Sequence, residues 1–534
     1  MSHSVFDRRS LGREDDSARE GEIAGPQFPE AEHHHDHHDS DADPYAWTDP
    51  KRHLWLLGLI PAGMLFPALA FYAGANALAG HSWLGVETPW QVIATLTMFL
   101  PWVMVFVFIP IQDYVFGRDG SNPPEEIREK LEADKYYRWI VYLYVPLQYA
   151  TLVMACYLWT ADDLSWLGHA GPMGFVAKLG VLLAAGIAGG IGINTAHELG
   201  HKIETGEKWA SKITLATTFY GHFYTEHNRG HHARVATPED PASSRFGESY
   251  YRFLPRTVFG SLRSAWGIER ERLRRQGKPV WSIRNDNLNA WAMSVALFAV
   301  LTAVFGWAVL PWLIAQAIYG FSLLEVVNYL EHYGLLRQKT DKGRYQRTRS
   351  EHSWNSDHMV TNIFLFHLQR HSDHHANPMR RFQVLRTVDE APQLPSGYAS
   401  LIVVAHFPPL WRKIMDKRVL AHYGGDVTRA NIDPLFRERI IAKYSPDAHD
   451  AAATGNGAAA GTSVLTDTDA EAALAAGTSP IGTYVCPNCG HHYIEAEGEP
   501  REGFPAGTPW SEIPNDWQCP DCGVREKIDF LAVA

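Results

Sequence analysis

Apolar runs long enough to cross a bilayer alternate with polar, basic stretches between residues 54 and 330. Residues 54–79, 89–112 and 139–160 contain no Asp, Glu, Lys or Arg. A hydrocarbon core of about 30 Å needs about 20 apolar residues per helix, so each run predicts one spanning helix. Residues 179–196 predict a fourth, rich in Gly and Ala, whose small side chains let neighbouring helices approach closely. Residues 288–324 are again uncharged but too long for one span. The turn signal from Gly306 to Pro311 divides them into helices at about 290–305 and 311–330. The pattern therefore predicts six spans.

Lys and Arg orient them. The connections at 80–88, 161–177 and 306–310 carry none, whereas 117–138 carries Arg118, Arg128, Lys130, Lys135 and Arg138. The segments 200–287 and 331–440 are basic as well, and all these fall on one side of a six-span topology. That side, with both termini, is expected to be cytoplasmic. The flanks differ in kind. Residues 1–45 are polar and include HHHDHH at 33–38, which predicts a disordered, solvated tail. Residues 445–482 are mostly Ala, Gly, Thr, Ser and Asp, the composition of a flexible linker. The expected domains are a tail (1–45), a membrane domain (46–440), a linker (441–482) and a small terminal module (483–534).

Bulk numbers exclude more than they define. A mean hydropathy of −0.21 averages over these unlike regions, and a net charge of −11 argues against nucleic-acid binding. Five cysteines, four of them in two Cys-x-x-Cys pairs, suit a metal site in a reducing compartment rather than a disulfide scaffold. No apolar stretch follows a basic region near residue 1, so no cleavable signal is expected.

The chemistry lies in four histidine clusters on the basic side. HELGH at 197–201 sets His197 and His201 on one helical face, at the end of span four. EHNRGHH at 226–232 supplies His227, His231 and His232, read with the same helical spacing. NYLEHYG at 328–334 places His332 at the end of span six, and QRHSDHH at 369–375 supplies His371, His374 and His375. Imidazole binds iron, copper, zinc or nickel. One tetrahedral zinc takes four ligands at most, so nine histidines predict two metals. HELGH also matches the zinc metalloprotease pattern, with Glu198 as base, but seven further histidines and a redox module have no place in a hydrolase. Glu325 lies seven residues before His332, on nearly the same face, and an acid inside the membrane predicts a catalytic or proton-relay role. Glu198, Glu226, Glu331, Asp240 and Asp373 neighbour ligands in sequence, with capping or salt-bridge roles as the alternative. His367 and His222 fit a supporting shell. Tyr114, Trp55 and Phe66 are candidates for a substrate tunnel, with core packing as the plainer explanation.

These boxes, HELGHK, EHNRGHH, NYLEHYGL and LQRHSDHH, resemble those of the membrane-bound alkane 1-monooxygenases over about residues 50–425. The resemblance implies two irons held by the nine histidines, and insertion of one atom of dioxygen into a terminal C–H bond of a medium- to long-chain n-alkane. Membrane acyl-lipid desaturases carry similar boxes but lack the HYG element.

At the C-terminus, VCPNCG (485–490) and QCPDCG (518–523) offer four thiolates, from Cys486, Cys489, Cys519 and Cys522. A zinc ribbon would use the same set. The flanking Tyr484, Tyr493, Trp510, Trp517 and Phe530 make the module similar to rubredoxin, which implies one redox-active iron. His491 departs from that family, where an aromatic residue is usual. The two resemblances together imply a fused electron donor served by a flavoprotein, NAD(P)H-dependent rubredoxin reductase. Residues 484–534 hold nine acidic and three basic side chains, and residues 249–284 hold nine basic and two acidic. Opposite charge predicts that the module docks on that loop. The expected architecture is mainly α: six spans, a cytoplasmic helical cap rich in histidine, and a small β module.

Overall fold

The computed structural model describes residues 47–83, 86–87, 89–444, 479 and 482–533. The predicted tail and nearly all of the predicted linker lie outside the described residues. Four unbroken helices are long and apolar enough to cross a membrane. They are α1 (Lys135–Thr160), α2 (Phe175–Gly200) and, after the amphipathic α3 (Tyr250–Arg275), α4 (Asp286–Phe305) and α5 (Val309–His332).

The first two predicted spans are each broken. Leu54–Gly63 meets Leu65–Ala77 at 62°, and Trp90–Thr97 meets Leu100–Phe116 at 56°. Pro61 and Pro67 flank the first break and Pro101 opens the helix after the second. Proline lacks the N–H that would continue a helix and fits its first turn, so the chain bends there. Counting each bent pair as one span restores six.

Small residues bring α2 and α5 almost into backbone contact. A Cβ at Gly190 would lie 2.8 Å from the carbonyl oxygen of Gly320, and one at Gly186 only 2.4 Å from the Tyr319 ring. Such close approach holds the inner ends of α2 and α5, and the histidines they carry, at a fixed separation. Asp134 caps α1 by accepting from the Tyr136 N–H, which starts that helix before the apolar run does.

Helix α3 runs across this bundle. Its buried positions Phe253, Thr257, Ser261, Ala265 and Glu269 recur every four residues, the spacing of one inward face. The terminal module is a three-stranded sheet in which β1 (Thr483–Val485) pairs antiparallel with both β2 (His492–Ile494) and β3 (Leu531–Ala532). Its core joins Tyr484, Tyr493, Phe504, Trp517 and Phe530 to the cysteines.

Candidate metal centres

The nine histidines fall into two buried groups. His197, His201, His227, His232 and His374 form one, and His231, His332, His371 and His375 the other; within each, one ring nitrogen per residue lies within 4.8 Å of all the rest. Helix α2 delivers His197 from its last turn and His201 as the residue that caps it, α5 delivers His332 as its last residue, and α6 (His371–Ala376) divides its histidines between the groups. The cluster at 226–232 departs from the expected spacing. Residues His227–His231 form a π-helical turn between two short α-helical pieces. The wider turn aligns residues five apart, so His227 shares a group with His232, while His231 turns to the other.

The donor set fits two metal ions. Nε2 atoms face one another at close range: His197 and His374 at 2.8 Å, His227 and His232 at 3.0 Å, His371 and His375 at 2.9 Å, His231 and His375 at 3.2 Å. Nitrogens about 2 Å from one metal lie about 3–4 Å apart. His201 Nε2 is buried without any partner. Burial and the neighbouring imidazoles hold His201, His227, His232, His371, His374 and His375 well below the usual histidine range. The rings are therefore neutral and keep the lone pairs a metal needs.

Two carboxylates touch this shell. Asp240 Oδ2 lies 2.9 Å from His231 Nδ1, which fixes that tautomer and leaves Nε2 for the metal. Glu331 Oε2 lies 3.2 Å from His371 Nε2. Sequence spacing favoured Glu325 instead, but its oxygens are taken by Tyr220 Oη (2.6 Å), Thr257 Oγ1 (2.8 Å) and Asn328 Nδ2 (3.2 Å). Glu325 lies seven residues, about 10 Å along the helix axis, before His332. Glu198 pairs with Lys202 at 3.1 Å, which occupies the carboxylate a protease would use as base. Glu226 pairs with Arg234, yet burial pushes its carboxyl up to about 8. Asp373 accepts from Asn377, Arg380 and the Arg386 N–H. His367 bonds the Phe382 carbonyl and packs on Trp55, outside both groups. His222 is buried against Tyr220, and burial lowers it to about 4. Tyr114 lies in the last turn of the second span. Its neighbour Asp113 takes the inward position, bonded to Thr361, and Tyr114 is turned outward with 78% of its surface exposed. Trp55 is core, and Phe66 is partly exposed.

In the terminal module Cys486 and Cys522 sulfurs are 3.8 Å apart, and Cys489 and Cys519 3.5 Å. Four thiolates about 2.3 Å from one ion lie about 3.8 Å apart, so the cage has the size of a tetrahedral site. The unusual His491 bonds Asp521 at 2.9 Å and so clamps one Cys-x-x-Cys turn to the other.

Residues 171–405 match the fatty acid desaturase family and residues 483–530 the rubredoxin family. The alkane 1-monooxygenase of Acinetobacter baylyi is 48% identical over 396 residues, 74% of this chain and 91% of that protein. Alkane 1-monooxygenase 1 of Alcanivorax borkumensis is 43% identical over 406 residues, 76% and 94% of the two chains. The enzyme of Ectopseudomonas oleovorans is 43% identical over 399 residues, 74% and 93%. The chain belongs to the alkane 1-monooxygenase family. It is a membrane oxidoreductase of that family with a rubredoxin on the same polypeptide.

In this family member the rubredoxin sits against the histidine-bearing segment. Glu502 pairs with Arg229 (2.9 Å) and Arg275 (3.5 Å), Arg275 Nε donates to the Glu502 carbonyl at 2.9 Å, and Arg347 pairs with Asp529 at 2.7 Å. A Cβ at Gly523 would lie 2.3 Å from the Asn228 carbonyl oxygen and 3.8 Å from His232 Cβ. The second Cys-x-x-Cys turn thus abuts the segment that presents His227, His231 and His232. The charge argument found α3. Arg229 and Arg347 escaped it because they lie outside the densest basic run.

Proposed function

We propose that the chain hydroxylates medium- to long-chain n-alkanes at the terminal carbon, giving 1-alkanols, with electrons passed from a flavoprotein reductase through the fused rubredoxin. One observation carries this reading: nine buried histidines, most of them held neutral, lie in two groups at the ends of apolar spans, with a four-cysteine cage pressed against the same segment. His197, His201, His227, His232 and His374 would hold one iron and His231, His332, His371 and His375 the other. Cys486, Cys489, Cys519 and Cys522 would hold the third. The iron pair, when bound, supplies the oxidising power that an unactivated C–H bond demands. The balance is one alkane, one dioxygen, two electrons and two protons, giving one alcohol and one water.

The chain's own residues position and insulate. Asp240 orients His231 and Glu331 stands beside His371, while Glu325 positions α3 against α5 through Thr257. The spans admit an apolar substrate from lipid and exclude water. Charge in the loops supports an inner-membrane protein with termini and metals on the cytoplasmic side. The test supplies purified, iron-loaded protein with rubredoxin reductase, NADH and an n-alkane series under isotopically labelled dioxygen. The expected product is 1-alkanol carrying one labelled oxygen. Absence of labelled alcohol at every chain length, with the rubredoxin turning over, would overturn the reading.

A further inference from the structure

Among the rubredoxin contacts, those on α3 involve its last turn, at Arg272 and Arg275. Along the rest of the helix two stripes run side by side. Tyr251, Phe259 and Leu262 form an exposed apolar one. Arg256, Arg263 and Arg270 recur every seven residues, two turns apart, and form a cationic one. With Arg245 these arginines line a cleft of about 1160 Å³ between α3 and the rubredoxin, in which eight arginines outnumber the four carboxylates of Glu239, Glu271, Glu502 and Asp516. Glu248 holds Arg256 at 2.8 Å, whereas Arg245, Arg263 and Arg270 have no carboxylate partner among the described residues.

Two hydrogen bonds fix the depth of this helix. Tyr250 Oη donates to the Ser322 carbonyl at 2.7 Å and Thr257 Oγ1 to Glu325 at 2.8 Å. Both acceptors lie on α5, about 10–15 Å before it ends at His332. The N-terminal half of α3 is therefore pinned to α5 about two to three turns before His332. Trp281 and Ile283, just beyond its C-terminus, are also exposed. Aromatic and apolar side chains beside arginines are what an interfacial helix presents to acyl chains and headgroups at once.

We propose that the cleft binds the headgroup of an anionic membrane phospholipid, with the acyl chains lying along Tyr251, Phe259 and Leu262. Guanidinium groups that lack carboxylates repel one another, and a phosphodiester offers each a forked partner. The cleft exceeds the roughly 300–1,000 Å³ of a drug-sized ligand site, which suits a headgroup with its glycerol backbone. Arg272 and Arg275 remain with the rubredoxin, so lipid and donor share the helix without competing for one residue.

The test uses the full-length protein in phosphatidylcholine nanodiscs doped with spin-labelled phosphatidylglycerol or spin-labelled phosphatidylcholine. Wild type should enrich the labelled phosphatidylglycerol at its surface over the neutral label. The double variant Arg263→Gln/Arg270→Gln should lower that preference by about tenfold. Arg245→Gln, beside Arg256 just before α3, should lower it in the same direction, and unchanged iron content and rubredoxin absorbance show that the variants are folded. No preference in wild type, or an undiminished one in the folded variants, would overturn the proposal. So would displacement of the label by millimolar inorganic phosphate, which would make the occupant a free anion. A loss of reductase affinity with lipid preference intact would assign the cleft to a protein and likewise overturn it.

Discussion

A proton on any ligand imidazole would remove the lone pair a metal needs, so the burial that keeps these rings neutral is part of the site. His332→Ala should lower the iron count from three to two or fewer, abolish hydroxylation and leave the rubredoxin spectrum unchanged; metal analysis with absorbance checks both. Asp240→Asn keeps the shape but weakens the hold on His231, and metal affinity or activity should fall about 10- to 100-fold. Glu198→Ala is expected to act through stability. It strands Lys202, buried and, among the described residues, bonded otherwise only to the Met379 and Arg380 carbonyls, and should cost about 3–5 kcal/mol by thermal or denaturant unfolding. At this scale the sequence showed which side chains gather into the candidate metal groups, because clustered histidines at the ends of apolar runs have few other uses. It did not show how they divide. His227 and His232 pair through a π-helical turn that no spacing rule for α-helices contains. The inward phase at Asp113 and outward phase at Tyr114 were hidden likewise, since the uncharged run 89–112 before them marks no face.

The elements repeat that division between what hydropathy reports and what geometry adds. Apolar length located all the spans, but it is blind to direction, so the bends beside Pro61 and Pro101 were not foreseen. Charge placed α3 under the rubredoxin, yet of its arginines only Arg272 and Arg275 touch the module. Glu502→Lys should weaken that contact by about 2–5 kcal/mol, read as slower electron transfer from prereduced rubredoxin with a smaller salt dependence. The pH dependence has a definite sign. Burial alone would raise the Glu502 carboxyl, but Arg229, Arg272, Arg275 and Arg501 hold it below its ordinary 4.5 when docked. Docking is therefore stabilised above that value and weakens as pH falls through the lowered one. Stopped-flow transfer rates should drop as pH falls below that ordinary 4.5, and much less in Glu502→Gln.

The whole molecule places an acceptor and its donor on one chain, with the glycine of the second cysteine turn seated on the Asn228 carbonyl. A tether of this kind holds the donor at an effective concentration on the order of millimolar. Turnover per chain should therefore stay constant on dilution when reductase is saturating, and should hardly respond to added free rubredoxin. A steady-state assay over a dilution series checks both; stimulation by the free protein would show that the seat is often vacant. One donor per acceptor also changes where supply is controlled. A cell that makes the two proteins separately can adjust their ratio, whereas here that ratio is set by the gene at one to one. If electrons enter through a separate reductase, as proposed above, its abundance sets the throughput of every copy of the enzyme alike.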